Sequence, residues 1–184
     1  MMTRLPRSFY QRPATEVAPD LLGKLLVHQT ELGLRIGRIV EVEAYLGRED
    51  LAAHSSKGLT KRTSVMFGEA GHAYVYLIYG MHHCMNVVTE PDGQGAAVLL
   101  RALQPLENLS ENTRGPGRLC KAMGIDLSHY GHDLCSDDLF IAEPAISETI
   151  TVIERPRIGV DYAGEWAHKL LRFYIDGNSY ISRK

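Results

Sequence analysis

Between Arg38 and Gly47 apolar and polar positions alternate: Val40, Val42, Ala44 and Leu46 on one parity, Ile39, Glu41, Glu43 and Tyr45 on the other. A period of two predicts a strand with one apolar face, the opposite face lining up two carboxylates and a phenol. Lys24–Thr30 has the same β-prone character, and Glu31–Gly33 turns it into a strand over Leu34–Leu46, giving an antiparallel hairpin. Ala73–Tyr79 is rich in tyrosine, valine and isoleucine, Gly80 breaks it, and Cys84–Thr89 returns as its partner strand. Ala96–Leu103 reads as a buried strand interrupted by one cation, Arg101. Shorter strands are predicted over Leu139–Ala142, Thr149–Glu154 and Leu171–Ile175.

Helical spacing is rarer. Val17, Leu21 and Leu22 make an apolar stripe in Ala14–Gly23, with Pro13 near its start and Pro19 awkwardly inside it. Gly115–Gly124 carries a helix-start proline and a closing glycine. Arg48–Ser64 is polar and predicts a loop or a loosely held helix, and Gly164–Leu170 a short helical turn. These elements predict an α+β fold: a single domain over residues 1–184, with a curved, mostly antiparallel β-sheet surrounded by helices.

Composition narrows the function. The chain is 45% hydrophobic and 23% charged, ordinary for a globular protein. No apolar run approaches the ~20 residues that span a bilayer, and the N-terminus lacks a signal-peptide apolar region. A soluble cytoplasmic protein is therefore expected. A net charge of −2 argues against coating nucleic acid by charge alone, but leaves room for a local basic patch. Cys84, Cys120 and Cys135 are widely spaced, which predicts reduced, mostly buried thiols.

The candidate chemistry starts from Glu41 and Glu43, whose Cα atoms lie roughly 6.5–7 Å apart if both sit on one strand face. Such a pair suits an acid and a base cleaving a glycosidic bond, although a bare Glu-x-Glu more often marks two solvated edge residues. Tyr74, Tyr76 and Tyr79 offer rings on which unpaired bases stack, or ordinary sheet packing. His82 and His83 are adjacent on a strand, so they point to opposite faces and make poor joint metal ligands; no metal is expected. Arg101 should meet a carboxylate, a phosphate or water. Lys57, Lys61, Arg62, Arg114, Arg118, Lys121, Arg155 and Arg157 are candidates for a phosphate-contacting rim.

Taken in order, these motifs resemble one family. Arg38-Ile-Val-Glu-Val-Glu43-Ala-Tyr45-Leu-Gly, then Asp50 and Ala53-His54-Ser55, resembles the catalytic region of the alkyladenine (3-methyladenine) DNA glycosylases. Tyr74–Met81, Cys84-Met-Asn86, Val98–Leu103, Gly115–Cys120, Gly159-Val160 and Ala163–Lys169 extend the likeness from about Leu5 to Ser182. His82-His83 departs from the aromatic pair of vertebrate members, and the Thr89–Gly95 loop is longer.

The resemblance implies a cofactor-independent, monomeric, bacterial enzyme acting on damaged double-stranded DNA near the nucleoid. It would flip an alkylated purine and hydrolyse its N-glycosidic bond. By this likeness Glu43 is the general base, and Arg101 and the backbone carbonyl of Ile158 hold the attacking water. Tyr45, His54 and Tyr76 grip the base, and Asn86 rejects normal guanine. Tyr79 fills the gap in the stack, and Met66, Tyr74, Lys61 and Arg62 contact DNA. Glu41 becomes a supporting residue.

Overall fold

The computed structural model describes residues 2–184. Nine strands occur among them: β1 (Thr3–Arg4), β2 (Leu25–Thr30), β3 (Gly33–Tyr45), β4 (Ala73–Ile78), β5 (His82–Thr89), β6 (Ala96–Glu107), β7 (Leu139–Glu143), β8 (Val152–Arg155) and β9 (Arg172–Ile175). Helices α1 (Arg7–Tyr10), α2 (Ala14–Leu21) and α3 (Pro116–Met123) accompany them, with several 3-10 turns. The strands form one antiparallel sheet in the order β1-β7-β2-β3-β6-β5-β4, with β9 and β8 branching from β3. The α+β class expected from the sequence is the one observed.

The branch is what positions the site. One edge of β3 pairs with β6 along most of its length. The other edge is shared, with β2 alongside Gly33–Arg38 and β9 alongside Glu41–Glu43. At the changeover the β3–β6 register slips: Ile39 faces Leu103, Glu41 faces Ala102, and Val42 faces Leu100. Val40 and Arg101 are left without direct partners. The irregularity is local, since the Ile39–Leu103 register is resumed at Val42–Leu100, and Arg101 lies at it.

The apolar parity of β3 does what alternation requires. Val40, Val42 and Ala44 pack with Ala14, Val17, Ala18 and Leu21 of α2, each larger side chain stabilising the fold by roughly 1.5–3 kcal/mol on burial. Leu119, Cys120 and Met123 of α3 join the same core. α3 starts on Pro116 and closes on Gly124 at φ 72, whose N–H reaches the Cys120 and Lys121 carbonyls.

Several boundaries differ from expectation. α2 continues through Pro19 and stops at Leu21, short of Gly23. β6 runs on to Glu107, because the early half of β3 supplies it with a partner. β8 begins at Val152, and the helical turn near Trp166 is a 3-10 stretch over Asp161–His168, kinked at Gly164. β1 and α1 have no sequence counterpart in the reading above: β1 is two residues laid on the edge of β7. No helix among the described residues is long and apolar enough to cross a membrane.

Candidate active site

Sheet register assembles the site. Reading across the strands, Tyr74 of β4 faces Asn86 of β5, Asn86 faces Leu99 of β6, and Leu99 faces Glu43 of β3. Directly opposed residues share a face, so four residues scattered over the chain form one row. Cys84 lies opposite Tyr76 in the adjacent row. At this face is a pocket of about 220 Å³, lined also by Ile158, Gly159, Val160 and Tyr162. It is smaller than the ~300–1,000 Å³ typical of drug-sized ligands and suits one small planar ring.

At the floor, Glu43 is fully buried. Its Oε1 accepts from the Tyr45 hydroxyl at 2.8 Å and its Oε2 from the Ile158 N–H at 2.7 Å, with Arg101 Nη1 3.5 Å from Oε1. Burial, then the Glu43 charge, raise the Tyr45 phenol well above its ordinary pKa, so it stays protonated and donates. The group of Ile158 that meets Glu43 is its N–H.

Arg101 bridges both acids, its Nε lying 3.5 Å from Glu41 Oε2. Glu41 is also buried and accepts from Arg172 Nη1 at 3.0 Å and from the Ser182 N–H at 2.7 Å. With Arg172 and the C-terminal segment satisfying it, Glu41 faces no free space in the pocket. Neither the solvated-edge reading nor the two-acid reading survives: one acid lines the pocket, and the other anchors an arginine.

Above Glu43 the walls are aromatic. His54 Nδ1 lies 2.9 Å from the Tyr74 hydroxyl, and the His54 and Tyr76 ring centroids are 4.5 Å apart. Burial, followed by the charges of Arg62 and Lys57, pushes the His54 imidazole down to about 4. Burial pushes the Tyr74 phenol up to about 12. His54 is therefore neutral at neutral pH. Asn86 spends one amide donor on the Tyr74 carbonyl at 3.2 Å.

The pocket mouth differs from expectation in three places. Tyr74 and Met66 are buried in the pocket wall, packed with Val88 and Ala97, and stand back from the outer surface. Arg157 is no rim cation: it is buried in a two-pronged pair with Asp50, its guanidinium 4.8 Å from the Tyr45 ring centre. Lys61 and Arg62 are exposed as expected, and the Arg62 guanidinium rests 5.2 Å from the Tyr76 ring centre. Tyr79 stands 89% exposed at the tip of the β4–β5 hairpin. Tyr79 and Gly80 both have positive φ, 52 and 66, and the Met81 N–H closes the turn onto the Ile78 carbonyl at 3.1 Å. A bulky residue held at positive φ is strained. Tyr162 and Ala52 line the pocket without having been marked by any sequence signal.

The comparisons with known proteins agree with this geometry. The family model described as Methylpurine-DNA glycosylase (MPG) matches residues 8–179. A "Putative 3-methyladenine DNA glycosylase" of Legionella pneumophila (strain Corby) is 63% identical over 182 residues, covering 99% of this chain and 100% of its own. Proteins of the same name from Myxococcus xanthus (strain DK1622) and Methanocella arvoryzae (strain DSM 22066 / NBRC 105507 / MRE50) are 54% and 49% identical. They span 99% and 100% of this chain, and 95% and 98% of their own lengths. With the match running through both the buried acid and the aromatic walls, the chain belongs to the methylpurine-DNA glycosylase family.

Proposed function

We propose that this protein is a monofunctional DNA glycosylase that takes an alkylated purine out of the duplex and hydrolyses its N-glycosidic bond, with Glu43 as the general base. The observation that carries the reading is the buried Glu43 carboxylate, held by two hydrogen bonds on the pocket floor beneath aromatic walls. A purine alkylated at N3 or N7 is cationic, so it is attracted to electron-rich rings and leaves as a neutral base. Water adds its oxygen to C1′ as the C1′–N bond breaks, and the bond's electron pair goes to the base nitrogen. Glu43 takes the water proton, while its charge stabilises the oxocarbenium character of the sugar. Water is the only co-reactant.

Each remaining group has a part. Arg101 and the Ile158 N–H hold Glu43 and the approach to it. Tyr45, His54 and Tyr76 embrace the base, and a neutral His54 adds no charge against a cationic ring. Asn86 crowds the exocyclic amine of normal guanine. Tyr79 occupies the space the base vacates, and Lys61 and Arg62 meet phosphates. Flipping costs a few kcal/mol, least for poorly paired bases, which adds selectivity.

The test is release of 3-methyladenine from methylated duplex DNA by the wild type and by Glu43→Gln. A positioned base contributes roughly 10²–10⁴-fold, so Glu43→Gln is expected to slow release by that factor. A wild type that releases no base ends the glycosylase reading, and a fully active Glu43→Gln ends the assignment of the base.

A further inference from the structure

We infer that the buried Asp50–Arg157 pair is a positioning device for the reaction, holding Tyr45 and the Ile158 N–H against Glu43. The inference rests on Glu43 being the base. The two residues are 107 apart in sequence, and both side chains are fully buried. Arg157 Nη1 donates to Asp50 Oδ2 at 2.6 Å and Nη2 to Oδ1 at 2.9 Å, a planar fork matched to a carboxylate.

What the pair holds is specific. Arg157 Nη1 also donates to the Ala44 carbonyl at 3.0 Å, and Asp50 Oδ2 accepts from the Leu46 N–H at 3.0 Å. Those two main-chain groups bracket Tyr45, and the guanidinium lies against the back of the same ring. Tyr45 is thus fixed from both flanks and from behind, leaving its hydroxyl on Glu43 Oε1. Arg157 is also joined by one peptide bond to Ile158, whose N–H holds Glu43 Oε2. Asp50 Oδ1 completes the set by accepting from the Ala52 N–H at 3.0 Å, at the pocket wall. Two of the bonds that orient the base therefore descend from one ion pair.

Stability alone is a poor reason for such a pair. Removing both charges from water costs about what their attraction returns, and well-packed apolar residues often do as well. What an apolar pair lacks is the directed set of bonds to Ala44, Leu46, Ala52 and Trp166, which specifies where the chain around the base must sit. Small displacements at a reacting centre are expensive: ~1 Å costs on the order of 10² in rate.

The experiment compares Arg157→Lys, which keeps the cation but loses the fork, with Asp50→Asn, which keeps the shape but loses the charge. Two quantities are measured on each: single-turnover release of 3-methyladenine, and affinity for duplex DNA carrying a tetrahydrofuran abasic analogue. The analogue has no base and needs neither Tyr45 nor Glu43. Release is expected to fall at least ~10-fold in both variants, with analogue affinity within ~3-fold of wild type. Release within ~3-fold of wild type overturns the proposal. So does a parallel loss of release and affinity, including loss through unfolding, because that is a purely structural role. If the wild type itself releases no base, it is the glycosylase reading that has failed, and this inference goes with it.

Discussion

The clearest quantitative consequence concerns His54 and pH. A histidine in an unfolded chain titrates near 6.5, whereas in the folded protein burial and the Arg62 and Lys57 charges bring His54 down to about 4. The unfolded chain therefore binds the extra proton throughout the window between these values. His54's contribution to stability is fully present above about pH 6.5 and is lost as pH falls towards 4. Linkage over that shift gives about 2 kcal/mol lost between pH 7 and pH 5. The ring is only partly buried, so screening by solvent reduces this to about 1 kcal/mol. The assay is urea unfolding of wild type and His54→Gln at pH 7, 6 and 5. Subtracting the two profiles removes the slopes they share, including that of His129, which burial also lowers. The wild type should lose about 1 kcal/mol more than the variant over this range. Equal slopes refute the reasoning and leave His54 titrating as it would in water. A neutral imidazole is also what a cationic base requires of its neighbour, so the same measurement bears on binding.

Two further outcomes follow from the backbone. Replacing Tyr79, held at φ 52 and exposed, by glycine should leave stability unchanged or raise it by up to ~1 kcal/mol, since strain relief offsets glycine's entropy. Base release from duplex DNA should nevertheless fall at least ~10-fold, and from single-stranded DNA much less; equal losses on both substrates would remove the stack-filling role. Gly47→Ala places a Cβ 2.6 Å from the Gln94 carbonyl at φ +109, so it should cost at least ~2 kcal/mol and lower the melting temperature by about 4–8 °C. An unchanged melting temperature would mean that the turn after β3 yields freely.

Local signals were legible where they depended on nearest neighbours. Alternation located β3 and placed Glu41, Glu43 and Tyr45 on one face, and the structure brings both acids to Arg101. Gly80 marked the hairpin tip, and Pro116 and Gly124 bound α3. Non-local geometry was not legible. The row Tyr74–Asn86–Leu99–Glu43 depends on the registers of three separate pairings. Arg157 resembled a solvated loop cation because nothing near it in sequence announces Asp50, 107 residues away. Ile158 contributes through its N–H, which every residue but proline possesses, so its side chain carried no clue. Ser182 meets Glu41 through the same kind of anonymous group.

The separation between each acid and its arginine also has a consequence in time. Glu41 and Asp50 are synthesised early, while Arg172 and Arg157 follow 131 and 107 residues later. At ~5–20 residues per second, Asp50 waits roughly 5–20 s for Arg157, and Glu41, which Arg101 can reach sooner, roughly 7–25 s for Arg172. The β2–β3 hairpin can form in that interval, but Asp50 stays in water until the Arg157 segment arrives, and Glu41 gains its second arginine only with β9. Pairing of β9 with β3 and fixing of Tyr45 and the Ile158 N–H on Glu43 therefore wait for the last quarter of the chain. A chain stalled or truncated before it stops with Asp50 still hydrated and Tyr45 unheld.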